Sequence, residues 1–398
     1  MKLLVLTPSF PTPTWGAGTR NYYLLKALAT HHTVSLLCLV DEKERREESS
    51  LESFVHTIRC VVRPSSSEKR IRQLVHMLQR KSYWIGVNTL AEVQATLDAL
   101  LAKEQYDAVL FESALISAYR LPAGVKRIID EHNIEYELLW RTFRHEASVW
   151  RKWYNWWESG TLKPAEIQLC KRADLVLTTS EQNCQSLKRL LPAANVEVVP
   201  NGVDIDVFQA GSTEQVPFQI VFTGALNYYP NVDAVMFFAR HCWPLIRAEV
   251  PAASWLIVGR EPPPEVRKLT DLPGITVTGS VPDVRPYLST ASVAIAPLQI
   301  GSGTRLKILE AFAMKKAVVS TSIGCEGLTV TAGKHLLIAD HPGEFARAVI
   351  DLVRDSEMRA ALGNAGRALV EKEYSWEACG ARLLRALETY MQEKEHVC

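Results

Sequence analysis

The sequence predicts an α/β protein made of two Rossmann-like, doubly wound parallel-sheet domains facing a cleft. Three observations carry that expectation. Short β-branched runs recur along the 398 residues with helical segments between them. Many of the runs are near-continuously apolar, as strands buried on both faces are, rather than alternating. The pattern breaks once, at Gln209-Ala-Gly-Ser-Thr-Glu-Gln-Val-Pro217, a small and polar stretch with the composition of a linker.

In chain order the expected strands are Leu3–Leu6, Val34–Val40, Val109–Phe111, Arg127–Asp130, Leu175–Thr178 and Val196–Val199. After the break they are Gln219–Thr223, Ser254–Val258, Ile275–Thr278, Val293–Pro297, Ala317–Ser320 and Leu336–Ala339. This assigns 1–208 to a first domain, 209–216 to a linker and 217–375 to a second domain. The terminal helix from Trp376, apolar at Leu383, Leu384, Leu387 and Met391, is expected to pack back on the first domain. In open parallel sheets ligands bind beyond the carboxyl ends of the strands, so the informative residues are those that directly follow strands.

Composition excludes several classes of function. A net charge of +1 gives no basic excess for nucleic acid. The eight cysteines show no C-x-x-C spacing and no accompanying histidines, so neither zinc nor a disulfide framework is expected. The first apolar run, Leu3–Leu6, is too short for a secretory leader, and no stretch approaches the roughly 20 apolar residues of a membrane span. A cytoplasmic protein follows, one that at most rests on the inner face of a membrane.

Three loops carry chemistry. After the first strand, Pro11-Thr-Pro-Thr-Trp-Gly16-Ala-Gly18-Thr-Arg20 precedes a helical pattern; glycines there let backbone N–H groups approach phosphate. The loop lacks the third glycine of the dinucleotide fingerprint, which argues against a nicotinamide or flavin. Past Asp130 comes Glu131-His132-Asn133, with an imidazole placed to meet a sugar hydroxyl or developing charge. The strongest signal is Gly301-Ser302-Gly303-Thr304-Arg305-Leu-Lys307-Ile-Leu-Glu310, a loop opening a helix. Arg305 and Lys307 fall in its first turn, where the helix dipole favours an anion, and Glu310 is one turn on, suited to a ribose diol.

In this order these segments resemble the GT-B glycosyltransferases of family four, over nearly the whole chain. The resemblance extends to Asn201-Gly-Val-Asp204 with Phe208, Phe222-Thr-Gly224, Ile257-Val-Gly259, Ser180-Glu, and Leu309-Glu310-Ala-Phe-Ala followed by Val318-Val-Ser-Thr321. It implies a retaining, metal-independent hexosyl transfer from a nucleoside-diphosphate sugar, UDP- or GDP-linked, to a hydroxyl on a saccharide, glycolipid or small molecule. No resident cofactor is implied. By position, Glu310 would bind ribose, His132 would lie near the transferred sugar, and Gly16 and Gly18 would cover the diphosphate; Gly224, Gly301, Ser302, Gly303 and Thr304 complete the donor side.

Two departures stand out. Ser302 occupies a position where the family often has a glutamate. Ala225 and Pro230 occupy the places of an arginine and a lysine that bind the diphosphate. Arg305 and Lys307 are therefore expected to supply the missing charge. Two first-half segments lie outside the donor machinery: the basic amphipathic stretch from Ser67 to Lys81, and Trp150, Trp153 and Trp157 on one helical face among Arg and Lys. They read either as core packing with snorkelling cations or as a surface for anionic lipid or a lipid-linked acceptor. Competing functions are a sugar-nucleotide epimerase or hydrolase on the same fold and a non-catalytic sugar-nucleotide-binding protein.

Overall fold

The structure is a computed structural model that describes residues 1–13, 17–41, 51–63, 79, 81–146, 148–211, 214–301 and 305–395. It contains two compact units, Met1–Pro200 with Cys379–Cys398, and Asn201–Ala378.

The first unit is built on a seven-stranded sheet in the order β3-β2-β1-β4-β5-β6-β7. The strands are β1 (Lys2–Thr7), β2 (Thr33–Val40), β3 (Thr57–Val62), β4 (Ala108–Phe111), β5 (Lys126–Glu131), β6 (Leu175–Thr178) and β7 (Val196–Val198). All pairings are parallel. The central strands are buried end to end, which accounts for their unbroken apolar runs. β3 is absent from the sequence expectation. It is an edge strand with most positions half-exposed and Arg59 in its middle, so it lacks the buried pattern of the others. The terminal helix contributes Cys379, Leu383, Leu387 and Tyr390 to the buried interior, and Tyr390 donates to Asp174 at 2.9 Å.

The second unit repeats the plan with six parallel strands in the order β10-β9-β8-β11-β12-β13. These are β8 (Gln219–Thr223), β9 (Ser254–Val258), β10 (Ile275–Gly279), β11 (Val293–Ala296), β12 (Ala317–Ser320) and β13 (Leu337–Ile338). One continuous core runs through the unit, from Val203 to Tyr374. The segment 201–208, which composition groups with the first half, belongs to this core: Val203 is buried and its N–H donates to the Tyr374 carbonyl at 2.8 Å. The Asn201-Gly-Val-Asp204 motif is thus a structural corner. A Cβ on Gly202 would stand 2.8 Å from the Trp376 ring, and Asp204 Oδ1 accepts from the Asp206 and Val207 amides. None of the seven described cysteines is in a disulfide; six are buried and Cys60 is half-exposed.

In both units the order reverses beside the first strand, between β1 and β4 and between β8 and β11. Such switch points are where parallel sheets open a crevice at their carboxyl ends.

Candidate active site

Each unit carries a cluster of charged side chains at the carboxyl end of its sheet. In the first unit, Glu112 follows β4 and Asp130 stands near the end of the neighbouring β5, two residues before His132. Arg20 arrives from the helix Ala17–Ala29. Its guanidinium grips Asp130 with two bonds, Nε at 2.8 Å and Nη2 at 2.7 Å, and donates to the carbonyls of Val199 and Pro200 at 2.9 Å each. His132 Nε2 lies 3.0 Å from Glu112 Oε2 and 3.3 Å from Asp130 Oδ2. All except the partly exposed imidazole are buried.

Burial alone would push the imidazole pKa down. Asp130 and Glu112 overcome it and hold His132 up at about 9, so the ring is an imidazolium at neutral pH. Burial likewise opposes ionisation of Asp130, but Arg20 and His132 hold it well below the usual carboxylate range. Glu112 is raised, by burial first and Asp130 second. Its own charge is matched by the histidine.

A second layer fixes the loop that carries His132. Glu166, from the long helix Val149–Lys171, accepts from the Glu135 amide at 2.8 Å and the Tyr136 amide at 3.0 Å. It thereby caps the helix Glu135–His145, whose own N-cap residue Ile134 supplies no side-chain bond. Glu131 Oε2 accepts from the Ala114 amide at 2.7 Å. Burial, then the neighbouring Glu166, raise Glu131 well above the carboxylate range. Glu135 is pushed up by burial to about 7.

The ligand atoms of Glu112, Asp130 and His132 lie within 4.8 Å of one another, and among the described residues this is the one set with that spacing. It does not fit a metal ion. Both Asp130 oxygens are already held by the Arg20 guanidinium, and a further cation would be buried against it.

In the second unit, Gly224 follows β8 with φ +154°, and a Cβ there would stand 2.9 Å from both Lys307 Nζ and Asn231 Nδ2. Lys307, in the first turn of the helix Leu306–Ala313, thus brings its ammonium to the loop that carries Ala225 and Pro230. It donates to Asn231 Oδ1 at 2.8 Å and lies 3.9 Å from the Phe222 ring centre. Burial, then Arg305, pull Lys307 down to about 7. Glu310, one turn further along, is pushed up by burial to about 7. Arg305 is buried, its guanidinium folded against Gly301, where a Cβ would come 2.6 Å from Nη2; Gly301 itself has φ +134°. A cavity of about 380 Å³ opens at the carboxyl ends of β9 and β10, lined by Glu261, Arg267, Thr278, Gly279 and Ser280 among others.

Not every expected residue falls in these clusters. Gly18 lies within the first turn of its helix rather than in a loop; it is glycine because Thr12 Cγ2 would be 2.9 Å and the Phe10 carbonyl 3.2 Å from a Cβ. Gly16, Ser302, Gly303 and Thr304 lie outside the described residues, as does almost all of the basic stretch from Ser67. Trp150 is 83% exposed, and Trp153 and Trp156 are exposed as well, so this face is not core. Trp157 alone turns inward and stacks on Trp153 at 6.1 Å. The sequence reading missed Arg20, Glu112, Trp156 and Asn231. Arg20 stands inside a quoted motif and Asn231 directly after Pro230, but only the fold brings them to their partners.

Comparison with known proteins agrees with the geometry. Residues 217–355 match the family model Glycosyl transferases group 1, and residues 15–207 match Glycosyltransferase Family 4. An uncharacterized 44.6 kDa protein in the cps region of Klebsiella pneumoniae is 22% identical over 92% of this chain and 94% of its own. The GDP-mannose-dependent alpha-(1-6)-phosphatidylinositol monomannoside mannosyltransferase of Mycobacterium tuberculosis is 28% identical over 48% of this chain and 55% of its own. Among solved structures, sucrose-phosphate synthase of Thermosynechococcus elongatus superposes with TM-score 0.74 at 16% identity, covering 99% of this chain and 100% of that one. HepE of Anabaena in complex with UDP gives TM-score 0.67 at 14% identity, covering 98% and 100%. Two parallel sheets of this order, with these matches, define a GT-B glycosyltransferase. The chain belongs to glycosyltransferase family four.

Proposed function

We propose that the protein transfers a hexosyl group from a nucleoside-diphosphate sugar to a hydroxyl acceptor, with retention at the anomeric carbon and without a metal ion. The observation that carries this reading is the Lys307 ammonium beside Gly224, with Glu310 one turn along the same helix. The ammonium suits a diphosphate and the carboxylate suits a ribose diol. The cavity at the ends of β9 and β10 offers room for the base.

As the bond from C1 to the diphosphate oxygen breaks, negative charge grows on the leaving group, and Lys307 and Arg305 stabilise it. The acceptor oxygen bonds to C1 on the same face and its proton passes to the departing diphosphate, so no protein base is required. His132, cationic and held through Nε2, would offer its other ring nitrogen to a sugar hydroxyl. The acceptor is a saccharide or glycolipid. The mycobacterial relative, whose named acceptor is a phosphatidylinositol monomannoside, supports the glycolipid alternative. Among the described residues no helix is long and apolar enough to cross a membrane. Contact with anionic lipid would instead run through the exposed tryptophans.

Incubation with a panel of UDP- and GDP-sugars, with and without EDTA, tests the reading. Nucleoside diphosphate released only with acceptor present, and equally in EDTA, is expected. Activity that EDTA abolishes and magnesium restores would overturn metal independence. Release without acceptor would favour a hydrolase.

A further inference from the structure

We infer that Asn231 is a positioning residue for Lys307, holding its ammonium at Gly224 so that a cation from one loop serves the place left uncharged in another. The inference rests on the donor reading above and adds a role that the motif comparison does not contain.

The geometry is a two-sided grip. Phe222, the fourth residue of β8, presents its ring face to the ammonium at 3.9 Å, and Asn231 Oδ1 accepts from it at 2.8 Å. The amide is itself fixed, because Asn231 Nδ2 donates to the Ala225 carbonyl at 2.8 Å. Turning the amide over would aim its N–H₂ at the ammonium and break both bonds. Asn231 is buried in the first turn of the helix Tyr229–Phe237, and its backbone N–H bonds to the Tyr228 carbonyl at 3.0 Å. Gly224 completes the arrangement, since a Cβ there would meet Lys307 Nζ and Asn231 Nδ2 at 2.9 Å each.

This accounts for the departure at Ala225 and Pro230. A lysine on the β8 loop would compete with Lys307 for the same place, and two ammonium groups there would repel. The charged groups acting on Lys307 are Arg305 and Glu310, both from its own segment. From the β8 side, Phe222 and Asn231 face it, and both are neutral. An amide oxygen stabilises the ammonium without cancelling its charge, which leaves that charge for the diphosphate.

The test compares Asn231→Ala, Asn231→Asp and the double variant Asn231→Lys/Lys307→Ala with wild type. Turnover and the pH profile of kcat/KM are followed with the best nucleotide sugar of the panel, and folding is checked by circular dichroism. Asn231→Ala should lower kcat about tenfold, the scale of one hydrogen bond to a charged group, and move the alkaline limb to lower pH. Asn231→Asp should move that limb to higher pH, because a carboxylate favours the ammonium. The double variant should regain at least tenfold over Lys307→Ala, because the charge returns to the β8 loop. Folded single variants whose limbs do not move, or move the same way, overturn the inference, as does a folded double variant no better than Lys307→Ala. Wild-type protein that releases no nucleoside diphosphate from any sugar of the panel overturns the donor reading instead.

Discussion

The two units share one strand order, yet their charged clusters are built on opposite terms. In the first unit the four charged groups at the ends of β4 and β5 are paired: Arg20 holds Asp130, and Glu112 holds His132. Two cations and two anions balance inside the fold. In the second unit the Lys307 ammonium has a neutral amide and an aromatic face as its direct partners, and Glu310 makes no ion pair among the described residues. Pairing lets buried groups ionise fully, whereas unpaired burial drags their pKa values toward neutrality. The first cluster balances its charges without a ligand, and the second is completed by a ligand that brings anionic and hydroxyl groups. Breaking the first should therefore cost stability, and breaking the second should cost turnover.

The largest expected effect is on stability. Arg20→Ala leaves Asp130 buried beside Glu112 with only His132 to balance them, and should destabilise the protein by about 3–5 kcal/mol. The same contact makes stability pH-dependent. Asp130 is depressed in the folded state, so its contribution is present above its unfolded pKa and is lost as pH falls through the folded value. Urea unfolding of wild type and variant at pH 7 and pH 2 measures both. A variant as stable as wild type would show that the pair contributes nothing net.

Next in size is Lys307→Ala, for which kcat should fall by about 10²–10³ while the unfolding midpoint stays near that of wild type. Removing a half-buried, half-neutral ammonium relieves desolvation as much as it loses contacts, so the fold has little to lose. Near-normal turnover would remove Lys307 from the donor site, and a collapse of the unfolding midpoint would place it with the first cluster.

How much of this contrast was visible in the sequence depends on the range of the interactions. The strands of both sheets could be read because burial on two faces writes itself as an unbroken apolar run; β3, an edge strand with Arg59 at its centre, carries no such run. Lys307 and Glu310 could be read because helix periodicity and a preceding glycine loop are local. The Arg20–Asp130 pair spans 110 positions and Lys307–Asn231 spans 76, and nothing local marks either. Glu112 follows its strand with no motif around it. The exposed tryptophans were legible as a stripe, but whether a stripe faces core or solvent is decided by what packs against it.

A smaller effect separates the clusters by pH. Donor affinity needs Glu310 ionised and Lys307 protonated. Glu310 is raised to about 7, so affinity falls as pH drops below that; Lys307 is lowered to about 7, so affinity falls as pH rises above it. A narrow bell in kcat/KM centred near neutrality is expected, with roughly tenfold loss per unit on either limb. His132, held at about 9, stays charged across that range and should add no limb of its own there. A flat profile from pH 6 to 8 would mean that Lys307 and Glu310 are paired in the free protein as the first cluster is.

The smallest expected effect tests a third kind of surface, one that satisfies neither a fold nor a donor. Trp150 is 83% exposed, and Val149, Trp153 and Trp156 stand beside it on the same helix, with Trp140 and Phe143 on the neighbouring one. Lys152 lies over the Phe143 ring at 5.5 Å, which keeps a cation next to the aromatic face. So little of Trp150 is buried that Trp150→Ala should change stability by no more than about 0.5 kcal/mol, and turnover on a small water-soluble acceptor should not change at all. If the face meets anionic lipid, the same variant should lose flotation with phosphatidylglycerol vesicles at low salt, because an indole at the interface contributes where a methyl does not. Equal flotation of variant and wild type would leave the tryptophans without a lipid role, and a drop in stability beyond that margin would return them to packing.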